Sequence, residues 1–347
     1  MKRYNLVVLL LMVMMFSACR TNESTEKTRE ELVEFTIEET SETEVEAPET
    51  ESEVGTEPEL RTPESTEPEP EISEPEPEPG TTEQEPETQA PALQTPDAAG
   101  PNIQSRIPAP QGFTRVAAEP GSLQEFLRAY PLKEEGSPVL LYDGSKKRNQ
   151  NAHVAVFDLP IENYDLQQCA DSIMRMYAEY FLATGQAEKI QFHFTNGFLA
   201  DYKTYRDGNR IAVDGNNVSW TPSAGYDDSY ETFVKYMKII FNYAGTLSME
   251  NESTQIEVSQ VRAGDVILKG GSPGHVIMIV DVCENEAGEK AFLLAQGYMP
   301  AQEFHVLKNP LHEDNPWYYE TEISYPLQTP EYVFPEGSFK RLCYENN

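Results

Sequence analysis

Long apolar runs are missing from this chain. The longest, Leu6 to Phe16, holds eleven residues, too few to span a bilayer as a mature helix. Cysteine is scarce, with four in 347 residues, and three of these (Cys169, Cys283 and Cys343) follow residue 100. An odd number excludes a closed disulfide framework there, although a Cys283–Cys343 bridge would leave Cys169 free. The five histidines show neither HExxH nor a Cys/His ligand spacing, so no metal and no cofactor is expected. Basic residues are few, 26 Lys and Arg against 59 Asp and Glu, for a net charge of −33. No basic patch with interleaved aromatics occurs, which argues against nucleic acid as a partner.

What is present begins with an export signal. Lys2 and Arg3 precede the apolar run, and Ser17-Ala18-Cys19 follows it as a lipobox would. The segment resembles bacterial lipoprotein signals, with Phe16 where Leu is usual. That resemblance implies removal of residues 1–18, lipid on Cys19, attachment to the membrane, and an extracytoplasmic location. A plain secretory signal or an uncleaved anchor would also export the chain.

Arg20 to Gly100 carries 26 acidic and 4 basic residues, a net of −22 out of −33. Glu-Pro and Thr/Ser-Glu recur and aromatics are almost absent. Such a segment cannot bury enough apolar surface to offset its ordering entropy. Residues 19–100 therefore read as a disordered acidic stalk, with a contour approaching ~250 Å at the polyproline rise.

Residues 101–347 read as a single globular α+β domain. Ser122 starts a short helix to Ala129. Val139–Tyr142 reads as a brief strand and His153–Leu159 as a strong one. Asp165-Leu-Gln-Gln168 has the form of a capping box and opens the longest helical pattern, to about Ala183. Arg175 and Glu179 stand four apart on it, as a surface ion pair would. Asn196-Gly197 and Asp214-Gly215-Asn216-Asn217 mark hairpins. Tyr230–Ala244 is amphipathic, and Ile256–Val261 leads onward. Mainly antiparallel strands then complete a sheet packed on the long early helix.

The stretch GDVILKGGSPGHVIMIVDV, Gly264 to Val282, carries the chemistry. Two apolar strands flank the turn residues Lys269 to Gly274, and His275 opens the second. Cys169 lies in the first turn of the long helix. There the dipole and unpaired N–H groups would lower a thiol pKa. Gln296 ends the next strand, Ala291 to Gln296. In this order Cys169 would be the nucleophile, His275 the general base, and Gln296 the group that orients the imidazole. Gln168, Asn196 and Tyr298 are candidate oxyanion or substrate contacts. Each has a structural alternative. Cys169 shares an apolar stripe with Ile173, Met176 and Tyr180, His275 could cap the turn, and Gln296 could merely end its strand.

Gly264-Asp265-Val266, Gly274-His275-Val276, Cys169 and Gln296 resemble the NlpC-type and CHAP-type branch of the papain-like fold, which cleaves bacterial cell-wall peptides. In that branch Asp precedes the Cys and Ser-Gly follows, whereas this chain has Gln168-Cys169-Ala170-Asp171. Residues Phe113 to Trp317 are similar to an uncharacterised bacterial lipoprotein family, domain of unknown function 4846. DLQQCADSIMRMYAEY, YAGTLS, GDVILKGGSPGHVIMIVD and LLAQGYMPAQEFHVLKNP carry that similarity, which implies an extracytoplasmic bacterial protein and supplies no activity. Two functions remain open. One is a cell-surface cysteine peptidase or amidase acting on a cell-envelope polymer or peptide, such as peptidoglycan stem peptides. The other is a non-catalytic binding or scaffold lipoprotein.

The lipidation reading has a direct test in a bacterial host fed an alkyne-tagged fatty acid. Label should enter the wild-type chain and be lost in Cys19→Ser. Equal labelling of both sinks the reading.

Overall fold

The computed structural model describes residues 101–346. They belong to the compact unit Thr81–Asn347. The unit Met1–Gly80 lies outside the described residues, as do the expected signal peptide 1–18, Cys19 and the whole stalk 19–100.

The opening elements are α1 (Ile103–Arg106), β1 (Phe113–Arg115), α2 (Leu123–Ala129) and β2 (His153–Val156). Ser122 caps α2 by accepting the Glu125 backbone N–H at 3.2 Å. Then come α3 (Cys169–Ala183), the hairpin β3 (Gln191–His193) and β4 (Leu199–Asp201), and α4 (Tyr202–Arg206). A second hairpin, β5 (Asn209–Asp214) and β6 (Asn217–Pro222), precedes α5 (Tyr230–Tyr243), α6 (Thr246–Asn251) and β7 (Ser253–Gln255). The remainder is strand: β8 (Val266–Lys269), β9 (His275–Asn285), β10 (Lys290–Gln296), β11 (His305–Leu307), β12 (Tyr318–Tyr319), β13 (Leu327–Gln328), β14 (Val333–Phe334) and β15 (Phe339–Leu342).

Nine of these strands form one sheet in the order β2-β11-β10-β9-β8-β15-β7, with β1 added on β9 and β12 on β10. Its pairings are antiparallel, so the domain is α+β with a mainly antiparallel sheet. Strand β9 is buried from His275 to Cys283. Its side chains alternate between two apolar layers. Val276, Met278 and Val280 join the layer that contains α3, and Ile277 and Ile279 join Leu294, Phe334 and Phe339 on the other face. Each such aliphatic side chain contributes about 1.5–3 kcal/mol by leaving water.

Asp281 interrupts that apolar strand and is fully buried. It lies beside the register shift that separates Leu293 from Leu294 across the β9–β10 ladder. Arg128 reaches Asp281 Oδ1 through Nε at 2.9 Å and Nη2 at 2.7 Å, and Arg115 Nε reaches Oδ2 at 2.7 Å. The charge thereby ties β1 and α2 to the central strand.

Several expectations need correction. Helix α3 starts at Cys169, because the Asp165 carboxylate is diverted to the Ala301 backbone N–H (2.7 Å) and Gln168 Nε2 (3.1 Å). Asp171, in the third helical position, takes over and accepts the Gln168 backbone N–H at 3.0 Å. Arg175 and Glu179 are buried, not on the surface: thirteen of the fifteen α3 residues are covered. Tyr230 on α5 closes over the pair, bonding Arg175 Nη2 at 2.7 Å and Glu179 Oε1 at 2.6 Å. Residues 139–142 make only isolated bridges, Leu140 to Lys146 and Leu141 to Gln302. Ile256–Val261, to which the sequence gives no element, contains the 3-10 turn Val258–Gln260 that follows strand β7. In the extended tail, β15 enters the main sheet between β8 and β7. The cysteines among the described residues are free thiols, so Cys283 and Cys343 do not pair.

Removing the Asp281 carboxylate leaves two guanidinium groups facing an apolar strand. Asp281→Ala should lose about 3–5 kcal/mol of stability, read by urea unfolding. A loss under about 1 kcal/mol, the range of exposed pairs, would show that the cluster does not hold β1 and α2.

Candidate active site

The N-terminus of α3, the start of β9 and the loop after β10 meet at one cleft. Gly297 makes this approach possible. A Cβ there would lie 2.3 Å from Ser172 Oγ and 2.9 Å from the Gln168 carbonyl oxygen, so only glycine lets the end of β10 reach the first turn of α3. The cleft has a volume of about 660 Å³. Cys169, His275, Gln168 and Tyr298 line it, with walls from Phe241–Thr246 and Gly271–Gly274. Four segments that carry the family resemblance (DLQQCAD, YAGT, SPGH and GYM) contribute to it.

His275 sits on the same side of the sheet as Gln296, since alternate residues of neighbouring strands share a face. Its Nε2 lies 2.8 Å from Gln296 Oε1. Gln296 is fully buried behind it and donates its own Nε2–H to Glu331 Oε2 at 2.9 Å. Glu331 is ion-paired to the buried Lys147. Lys147 in turn stands 3.2 Å from His305 Nε2, and His305 Nδ1 is 2.7 Å from the Glu303 carbonyl oxygen. Tyr298 and Tyr332 pack on the His275 ring at 4.7 and 4.8 Å between centroids. This burial drives the His275 pKa down from 6.5 to about 4, so the imidazole is neutral at physiological pH.

Cys169 is the first residue of α3 and is 7% exposed. The expectation of a depressed thiol pKa is not met. Burial, followed by the Asp171 carboxylate, pushes it up to about 11. The backbone N–H groups of Ala170, Val276 and Cys169 itself act in the opposite sense and are outweighed. Val276 follows His275 directly, which brings the sulfur to the start of β9. Asp171 is itself lifted to about 8 by burial, and its Oδ1 has no hydrogen-bond partner. At rest the cleft is lined by a protonated thiol and a neutral imidazole.

The other candidates divide. Gln168 and Tyr298 reach the cleft. The Gln168 backbone N–H is already engaged by Asp171 Oδ2 and the Leu166 carbonyl, and one Nε2–H of its side chain by Asp165 Oδ1 at 3.1 Å, which leaves the second Nε2–H and the Cys169 N–H as donors for a ligand. Asn196 is not among the cleft-lining residues; it is exposed in the β3–β4 turn, bonding Asn216 O at 3.1 Å and the Phe198 N–H at 3.0 Å. Sequence reading missed Glu331, Lys147 and Tyr332. Lys147 lies in a polar loop and the other two in the irregular tail, where no periodicity marks them. The Gly/Pro content of Lys269–Gly274 was the one signal for a cleft wall. Among the described residues no group of His, Cys, Asp and Glu is placed to hold a metal ion.

Together these features define an α+β domain with a Cys/His-lined cleft at the end of its central strand. The chain matches the family model described as Domain of unknown function (4846) over residues 103–341 and belongs to that family. No curated protein and no solved structure matches it.

If burial alone governs Cys169, its alkylation by iodoacetamide rises about tenfold per pH unit toward pH 11, following the thiolate fraction. At neutral pH it is then slower than that of a free thiol. Peptide mass spectrometry resolves Cys169 from Cys283 and Cys343. A rate independent of pH between about 5 and 9 would point instead to proton removal by a neutral neighbour, the His275 imidazole, over its working range.

Proposed function

We propose that this protein is an exported, membrane-anchored lipoprotein whose folded domain is a cysteine peptidase or amidase acting on cell-envelope amide bonds, with peptidoglycan stem peptides as the substrate class. The observation that carries this reading is the 2.8 Å contact between His275 Nε2 and Gln296. It leaves Nδ1 to act in a cleft that Cys169 also lines. The order nucleophile on a helix start, base on a strand start, and orienting amide on the next strand is the papain-like, NlpC-type arrangement that the motifs suggest. Lipid on Cys19 and an acidic stalk would hold the domain near such a polymer.

In the reaction, Cys169 Sγ bonds to the amide carbon while its proton passes to His275 Nδ1, and the carbonyl electron pair moves onto oxygen. The Cys169 N–H and the Gln168 side chain are the donors available to that oxyanion. Collapse breaks the C–N bond, and the leaving amine takes the proton from His275. Water, deprotonated by His275, then releases the acid and restores the thiol. Starting from neutral groups, the charge separation develops only during attack, at side chains that are largely buried.

A second reading has its own support. Cys169 packs in the apolar layer of α3 and its thiol pKa is raised, as suits a core residue in a non-catalytic binding lipoprotein. The two separate on incubation of the full chain with peptidoglycan fragments, followed by mass spectrometry of the products. Cleavage that falls by about 10³-fold or more in both Cys169→Ala and His275→Ala, the scale of losing a nucleophile or base, supports hydrolysis. Cleavage that survives Cys169→Ala, or retention of fragments without cleavage, overturns it in favour of another mechanism or of binding.

A further inference from the structure

We propose that Glu331 is a positioning residue of this site. It fixes the orientation of the Gln296 carboxamide and, through it, the imidazole nitrogen of His275 that carries the proton. A carboxamide has an acceptor end and a donor end, and the two are sterically alike. What sets its direction is therefore the group on its far side. Here that group is the Glu331 carboxylate, ion-paired to Lys147 and also approached by Asn149 Nδ2 at 3.3 Å.

A carboxylate accepts and does not donate. Gln296 must turn its NH2 toward Glu331, at 2.9 Å, and its carbonyl oxygen toward His275, at 2.8 Å. An oxygen facing Nε2 requires Nε2 to be the protonated nitrogen. Nδ1 is then the nitrogen with a free lone pair. The reversed amide would set its oxygen against the carboxylate and its NH2 against Nε2. The ring would then hold its proton on Nδ1 and could take none from a thiol.

Lys147 completes the arrangement. Its Nζ donates to Glu331 and faces His305 Nε2 at 3.2 Å. His305 accordingly holds its proton on Nδ1, aimed at the Glu303 carbonyl oxygen at 2.7 Å. The two buried histidines are thus held in opposite tautomers by one Lys147–Glu331 pair, and each contact along the line sets a donor against an acceptor.

The consequence for catalysis rests on the cysteine hydrolase reading, but the tautomer can be read without any activity. The full chain is labelled with nitrogen-15 histidine, and long-range proton–nitrogen correlations are recorded at pH 7, with His275 assigned by its loss in His275→Ala. His275 protonated on Nε2 in the wild type, with a move toward the Nδ1–H form in Glu331→Leu, which leaves no acceptor behind Gln296, is the expected result. A wild-type ring protonated on Nδ1 overturns the proposal even if the variant fails to fold. So does an unchanged Nε2–H form in a folded Glu331→Leu. The Cys/His reading is tested separately by Cys169 alkylation at pH 7 in the same proteins. A tautomer that moves while alkylation stays constant keeps Glu331 as the positioning residue and removes His275 as the base.

Discussion

Strand β9 is buried along most of its length, yet it carries a histidine at its start and an aspartate in its middle. A polar group in an apolar strand must be paired or it destabilises the fold. That requirement organises the molecule around it. Asp281 gathers Arg115 and Arg128 and so draws β1 and α2 against the sheet. His275 requires a buried partner, which it finds in Gln296; Gln296 requires Glu331, and Glu331 requires Lys147. The tail and a loop nearly two hundred residues upstream of it meet because the strand between them has polar atoms to satisfy.

The same burial sets the electrical state of the cleft. Low polarity disfavours every charged form. The imidazole pKa falls to about 4, while the thiol rises to about 11 and Asp171 to about 8. A dipole at the start of a helix stabilises a thiolate, but the effect is small beside full desolvation. A nearby carboxylate pushes the same way as burial. The thiol and the imidazole are therefore neutral groups and not a preformed thiolate–imidazolium pair, and the Lys147–Glu331 ion pair stands behind them. Orientation becomes the controlling variable, which is why the direction of one carboxamide matters.

Much of the fold was legible because the relevant signals are local. Apolar runs bounded by glycine and proline marked β8 to β10, Ser122 marked the start of α2, and Asn-Gly and Asp-Gly-Asn-Asn marked two hairpins. Cys169, His275 and Gln296 were legible as residue types at the ends of such elements. The start of α3 was misread because Asp165 has the right spacing for a cap but a better partner in the Ala301 N–H. Arg175 and Glu179 looked exposed because helical spacing does not reveal what α5 later covers. Glu331 and Lys147 left no trace at all, since a polar residue in an irregular loop reads as solvated until its partner arrives.

The sequence by itself determined the classes of element, the α+β character and which side chains could do chemistry. Each of these depends on residues within a few positions of one another. Only the tertiary structure decided which polar groups are buried together, in what direction each hydrogen bond runs, and so whether the thiol of Cys169 rests protonated and which nitrogen of His275 is free. Those are properties of desolvation and of partners distant in the chain, and neither is written into a local pattern.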